Sequence, residues 1–161
     1  MKQYTNEFTA QIQASFNEPT FTPEQIASMT ESARAIIAEQ RETNRLHPVI
    51  GIYRFATVGS LTRRGGIVHE TNHEAKMQAE NGEMMSIALK GDEVVYPDGT
   101  TARIATSTGK SKTCKGRGIA LVGSKLDNGD EIISTPQSGV MCPVRRGIPF
   151  PEDFLADEAT A

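Results

Sequence analysis

The chain has 161 residues, and 17 Lys and Arg against 20 Asp and Glu give it a formal net charge of −3. This charge argues against a nucleic-acid-binding protein, because surfaces that track phosphates usually carry a basic excess. No apolar run approaches the ~20 residues of a membrane span, so we expect no stable membrane insertion. Met1–Phe8 lacks the apolar core of a signal peptide, so we expect the protein to start in the cytoplasm.

Residues 1–47 predict a helical N-terminal extension. Thr22 can cap a helix that begins at Pro23, and Gln25 completes a capping box. Apolar residues then recur at helical spacing to about Arg41, namely Ile26, Met29, Ala33, Ile36 and Ile37. This stripe either packs on the rest of the protein or binds a partner.

Two further signals bound this extension. Phe8, Ile12 and Phe16 are four residues apart, which favours a shorter helix over Phe8–Phe16. His47-Pro48 ends the helical part, because the residue before a proline is pushed out of the helical region.

Strand-like runs and turn pairs dominate residues 48–135. The expected strands include Val49–Phe55, Glu83–Leu89 and Thr100–Thr106, and Asn81-Gly82, Pro97-Asp98-Gly99 and Asp127–Asp130 are expected turns. Gly109–Gly118 is expected to be a cationic loop. Its Gly-Lys-Ser is no phosphate-binding loop, because Ile104 stands where that motif needs glycine. Residues 136–161 are expected to be irregular, with a frayed acidic tail over residues 152–161.

One short sequence motif occurs three times within residues 56–134. It begins at Ala56, Ala88 and Ala120 and places glycines at 59, 91 and 123, so that 91−59 and 123−91 both give 32. A second glycine follows each copy within a few positions. Each copy predicts a short strand, a tight turn and a second strand. A single hairpin cannot bury a face alone, so the repeat predicts three hairpins that close on one another.

The repeat resembles the PAAR-repeat family. Val58–Val68 is similar to that family's Gly-Asp-x-x-Thr-x-x-Gly-Gly-x-Val stretch, and Ile87–Pro97 and Ile119–Ser134 are similar to its second and third units. The resemblance implies a mainly β fold, a small conical β-hairpin or β-roll module of three related units. It also implies that this cone caps the trimeric valine-glycine repeat (VgrG) spike of a type VI secretion system, or the spike of a related contractile phage tail.

The partners follow from the same resemblance. We expect a monomer, one copy per spike trimer, that touches the spike near the repeat turns at Gly59, Gly91 and Gly123. The N-terminal helix would bind an effector cargo or a chaperone. Delivery would take the protein outside the cell when the machine fires, without a signal peptide.

A metal site is the first chemical hypothesis. His69, His73, Cys114 and Cys142 supply the imidazoles and thiolates that zinc takes, and the family holds a metal near the point of its cone, so we expect zinc or iron. The chain departs from the family at two usual ligand positions, where it has Tyr96 and Asn128. The usual ligand set therefore does not carry over intact: either His69, His73, Cys114 and Cys142 regroup, or the tip is metal-free.

Catalysis and free-standing binding are the alternatives. Cys114 or Cys142 with a histidine could form a small hydrolase or toxin, although no family signature surrounds either cysteine. The chain could also be an adaptor that binds a protein other than a spike. We expect a non-enzymatic spike-tip protein.

Overall fold

A computed structural model of the protein describes residues 2–17, 21–71 and 73–156. The fold is mixed α/β, with N-terminal helices followed mostly by small antiparallel sheets, which agrees in this coarser form with the expected β module and helical N-terminal extension. Internal contacts divide the chain into two units. Unit 1 comprises Met1–Asn6, Tyr53–Cys142 and Phe150–Ala161, and unit 2 comprises Glu7–Ile52 and Pro143–Pro149.

The described residues contain three α-helices and eleven short strands. The helices are α1 (Ala10–Asn17), α2 (Pro23–Ala27) and α3 (Glu31–Leu46). The strands are β1 (Val49–Arg54), β2 (Leu61–Thr62), β3 (Ile67–Val68), β4 (Lys76–Gln78), β5 (Met84–Ser86), β6 (Glu93–Val95), β7 (Thr101–Arg103), β8 (Thr113–Cys114), β9 (Arg117–Gly118), β10 (Ile132–Ser134) and β11 (Met141–Arg145). In the ranges that the structure describes, no helix is long and apolar enough to cross a membrane.

The single helix expected from Pro23 to about Arg41 is in fact two helices. The capping box at Thr22 and Gln25 is confirmed. The helix then breaks because Thr30 acts as a second cap, its hydroxyl accepting a hydrogen bond from the Ala33 N–H at 3.2 Å. No residue of α2 or α3 is buried.

Two segments expected to be irregular contain regular structure. The expected loop over Gly109–Gly118 forms a 3-10 turn at Gly109–Ser111 followed by the β8/β9 hairpin. The hairpin is possible because Lys115 and Gly116 both take positive φ, which a two-residue turn between strands requires. Residues 136–161 contain β11, which pairs with β1.

The described part of the expected frayed tail is held in place. The Leu155 N–H donates to the Ser107 carbonyl at 2.7 Å, and the Lys110 N–H donates to the Asp153 carboxylate at 2.7 Å. Phe150 stacks on Phe154 with a centroid distance of 3.9 Å. Residues 157–161 of the predicted tail lie outside the described residues.

The three repeats meet at a closed ring of backbone hydrogen bonds in unit 1. The Ala56 N–H donates to the Ala120 carbonyl at 2.9 Å, the Ala88 N–H to Ala56 at 3.0 Å, and the Ala120 N–H to Ala88 at 2.9 Å. All three side chains are fully buried. Ala56, Ala88 and Ala120, here called the alanine ring, therefore join the repeats in a threefold pattern within one chain.

Each repeat leaves the ring through the same first turn. Gly59, Gly91 and Gly123 take φ of 93°, 92° and 109°, a left-handed conformation that glycine adopts without a steric penalty. Their N–H groups donate to the carbonyls of Val68, Ile104 and Ile132. Three copies of one sequence phrase thus form three copies of one backbone turn.

The strands beyond the first turns close into three hairpins. One sheet has the order β10-β2-β3-β6-β7. Bridges at Ile104↔Leu126 and Lys125↔Glu131 then connect its last strand back to its first. The hairpins end in second turns that contain Gly65, Gly99 and Gly129. Closure leaves this part of unit 1 without a long open edge.

Two apolar clusters lie on opposite sides of the extended segments that carry the alanine ring, because successive side chains of an extended chain point to opposite sides. The hairpin cluster comprises the alanine ring with Val68, Val94, Ala102, Ile104, Val122, Leu126 and Ile132. The flanking cluster comprises Ala75, Met77, Ile87, Leu89 and Ile119, with Phe55, Met85, Cys114 and Val140 against it. Sheet β4/β5 contributes to the flanking cluster through Met77 and Met85.

We expect Ala88→Leu to lower the free energy of unfolding by about 2–3 kcal/mol, because three extra carbons must enter a filled core. Urea unfolding followed by circular dichroism measures the change. Ala38→Leu makes the same substitution on the exposed surface of α3 and should be nearly neutral. Equal effects of the two substitutions would show that the ring is not closely packed.

Candidate functional site

A buried carboxylate sits at the first turn of the second repeat. Asp92 is only 6% exposed, and its Oδ2 accepts a hydrogen bond from the Leu89 N–H at 2.7 Å. The same oxygen accepts one from His73 Nε2 at 2.9 Å, and Oδ1 accepts one from Arg117 Nη2 at 2.5 Å. Asp92 therefore stabilises its own turn and also ties two distant segments to it.

The histidine in this network has a defined tautomer. The Ala75 N–H donates to His73 Nδ1 at 3.2 Å, so Nδ1 carries no proton and Nε2 is the donor to Asp92. The His73 side chain is 8% exposed. Both ring nitrogens are thus engaged in a buried structural contact.

Aspartate at this position distinguishes the second repeat from the other two. In the first and third repeats the Ser60 and Ser124 hydroxyls accept from the Thr57 and Leu121 N–H groups at 3.0 and 2.9 Å. A serine hydroxyl stabilises the turn, but only a carboxylate also has acceptors for the side chains of His73 and Arg117. One substitution within the repeat has therefore created a charged network.

A groove of about 460 Å³ lies beside this network. Its lining includes the basic side chains of Lys90, Arg103 and Arg117 and the acidic side chains of Glu70, Asp92 and Glu93. His69 also lines it. Arg117 Nε donates to the Lys90 carbonyl at 2.8 Å, and Arg103 Nη1 donates to the Gly91 carbonyl at 2.9 Å. The groove therefore carries equal numbers of formally basic and acidic side chains, with Arg117 and Asp92 paired to each other.

A second polar cluster joins the second turns at the far end of the hairpins. The Tyr96 hydroxyl donates to Asp130 Oδ2 at 2.5 Å and accepts from Asn128 Nδ2 at 3.0 Å. Asp130 Oδ1 accepts from the N–H groups of Arg64 at 3.2 Å and of Glu131 at 2.8 Å. We call Tyr96, Asn128 and Asp130 the turn-end cluster.

The environment of the turn-end cluster sets its ionisation. Burial raises the pKa of Tyr96 and keeps the phenol protonated as a donor. Burial also acts to raise the pKa of Asp130, but hydrogen bonds from Thr62, Tyr96 and two backbone N–H groups outweigh it, so the pKa of Asp130 is lowered. The cluster thus pairs a neutral donor with an ionised acceptor.

The four predicted metal ligands are not assembled into one site. His73 is engaged with Asp92 and Ala75, while His69 lines the groove. Cys114 packs against the flanking cluster, and Cys142 is buried with its Sγ 3.9 Å from Lys112 Nζ. Over the described ranges, no three His, Cys, Asp or Glu side chains are placed to hold a metal ion. The arrangement does not fit the tetrahedral set that we expected.

The cysteines show no catalytic pairing either. Across residues 2–17, 21–71 and 73–156, no hydrogen bond joins a cysteine to a histidine. The hydrolase or toxin alternative stays a prediction that no observation favours. Gly59, Gly91 and Gly123, in contrast, occupy equivalent turns next to the alanine ring, as the spacing predicted.

Sequence reasoning missed Arg117, Asp92 and Asp130 as organising residues. Asp92 lies in a first turn, whereas Asp130 follows a second turn. The available signal was the change from Gly-Ser to Gly-Asp in the second repeat. The partners of both carboxylates lie far away in the chain, so spacing could not identify them.

Comparisons with known proteins found no match to a protein-family model, a curated protein or a solved structure.

We expect Asp92→Ser to lower the free energy of unfolding by about 2–3 kcal/mol, because it leaves His73 and Arg117 without their carboxylate. Chemical unfolding of the full chain measures the effect. Ser124→Ala, which removes only a turn cap, should cost about 1 kcal/mol. A loss no larger for Asp92→Ser than for Ser124→Ala would mean that the network contributes nothing beyond the cap.

Asp130 should make stability depend on pH. Because its folded-state pKa is lowered, its contribution is complete above the unfolded-chain value of about 3.9 and is lost as the pH falls through the folded-state pKa. We expect Asp130→Asn to be less stable than the natural chain near neutral pH and to lose less stability on acidification. Urea unfolding at about pH 7 and about pH 3 tests this. Glu83→Gln, on an exposed turn, should keep the natural pH dependence.

Proposed function

We propose that unit 1 caps the blunt end of a trimeric β-structured spike of the VgrG type, one copy per trimer, in a contractile injection system. The observation that carries the proposal is the alanine ring, in which one chain presents three bridged segments in a closed threefold hydrogen-bond pattern. A threefold partner is matched by such a unit without trimerisation of the unit itself. The resemblance of the three repeats to the PAAR-repeat family supports the same partner.

The flanking side of the ring is the face best suited to contact the spike. Phe55, Ile87 and Ile119 precede the three alanines and bridge to Leu121, Thr57 and Leu89. Sheets β4/β5 and β8/β9 adjoin this side and have two strands each, so the outer edge of β4 is a place for strand addition, whereas Ser86 of β5 and Gly118 of β9 already accept backbone hydrogen bonds. The hairpin side forms the cone of the resembled family and points away from the spike.

The helical extension would carry the second part of the role. Ile36 is 56% exposed on α3, and α2 and α3 contain no buried residue. An isolated helix of this length is marginally stable in water, so a bound partner would stabilise it. An effector cargo or a chaperone fits this place.

Binding to a VgrG-type spike protein tests the function, and any such protein encoded beside this gene is the natural choice. We expect the purified chain to form a complex with one copy per spike trimer, measured by native mass spectrometry. Met84→Glu changes a 61% exposed side chain on β5 next to the flanking cluster and should weaken the complex at least about tenfold.

Ile67→Glu is the matched control, because Ile67 is 43% exposed on β3 at the hairpin side. It should leave binding unchanged. The absence of a complex, or three copies per trimer, would contradict the proposal. Equal loss in both variants would place the contact elsewhere than the flanking side.

A further inference from the structure

The three second turns are tied together by side chains that belong to different repeats. Tyr96 of the second repeat reaches Asp130 and Asn128 of the third. The first repeat joins through Arg64, whose Nη1 donates to the Asn128 carbonyl at 3.1 Å and whose N–H donates to Asp130. Gly66 of the first repeat lies so close to the Tyr96 ring that an added Cβ would be 3.0 Å from it.

The same cluster stands where the resemblance implies metal ligands. Tyr96 and Asn128 occupy two positions that are cysteines in the PAAR-repeat family. Their polar atoms are already engaged, since the Tyr96 hydroxyl both donates and accepts and Asn128 Nδ2 is a donor. Asp130 accepts through both oxygens. A metal could bind here only by breaking this cluster.

We propose that the turn-end cluster of Tyr96, Asn128 and Asp130 holds the three repeats together at their second turns and stabilises them there in place of a metal ion. A buried carboxylate with several donors is a strong acceptor, because charge-assisted hydrogen bonds are shorter and stronger than neutral ones. Asp130 is 2% exposed, so water competes poorly for its oxygens. The cluster links all three repeats, as a shared metal would, and the inference is independent of the spike proposal.

The test uses the untagged full chain. Elemental analysis should find no stoichiometric zinc or iron, and EDTA should leave the melting temperature unchanged. Tyr96→Phe removes only the hydroxyl at the centre of the cluster. We expect it to lower the melting temperature by on the order of 5 °C and to speed amide exchange at Gly65, Gly99 and Gly129 about tenfold.

Asp98→Asn is the matched control, because Asp98 lies in the same second turn as Tyr96 but accepts from the N–H and hydroxyl of Thr100, within its own repeat. It should leave exchange at Gly65 and Gly129 unchanged. Asn128→Ala keeps the Tyr96–Asp130 contact and should give a smaller effect in the same direction as Tyr96→Phe. This second variant keeps the test decisive if Tyr96→Phe does not fold.

Two results would overturn the proposal. One is near-stoichiometric zinc or iron whose removal by EDTA lowers the melting temperature. The other is that the amide exchange rates at all three glycines are the same in Asn128→Ala and Tyr96→Phe as in Asp98→Asn. The cluster would then not hold the second turns together.

Discussion

Three backbone hydrogen bonds, from Ala56 to Ala120, from Ala88 to Ala56 and from Ala120 to Ala88, set the geometry of unit 1. Strands from three repeats meet there around methyl groups that have no exposed surface, so the centre has no room for a larger side chain. Each strand must then reverse within a few residues to pack its hairpin over the ring. That reversal requires a positive φ, which explains why glycine follows each alanine at the same distance.

The symmetry of the ring does not extend to the side chains around it. Thr62, Tyr96 and Leu126 occupy one equivalent position, since their N–H groups donate to the carbonyls of Gly66, Thr100 and Asp130. Thr62 is a small polar residue, Tyr96 carries a phenol and Leu126 is apolar. Side chains at this one position therefore make different contacts in the three repeats. Asp92 breaks the symmetry at the first turns in the same way, because its equivalents are serines.

The sequence predicted the features that depend on local backbone chemistry. Regular glycine spacing predicted the first turns, and the Thr22 capping box predicted the start of α2. The break at Thr30 was missed because the apolar stripe continues across it, and a cap competes with helix continuation only through its side-chain geometry. The β8/β9 hairpin was missed because Lys115 takes a positive φ that its residue type does not suggest.

Long-range side-chain networks were beyond sequence reasoning for a different reason. His73 and Asp92 are 19 residues apart, and Tyr96 and Asp130 are 34 apart. Periodicity constrains which face of a strand a residue occupies, but it does not pair residues on different hairpins. The predicted set of His69, His73, Cys114 and Cys142 rested on residue types alone, and the fold distributes those residues over separate contacts.

Recognition of a threefold partner by one chain must rest on features that occur three times. At the second turns the equivalent side chains differ, so that end offers no repeated chemistry. Beside the ring, in contrast, the residue before each alanine is apolar in all three repeats, and Phe55, Ile87 and Ile119 all pack in the flanking cluster inside unit 1. The ring strands also share one hydrogen-bond pattern on that side. The repeated chemistry thus lies at the ring and the unique chemistry at the second turns.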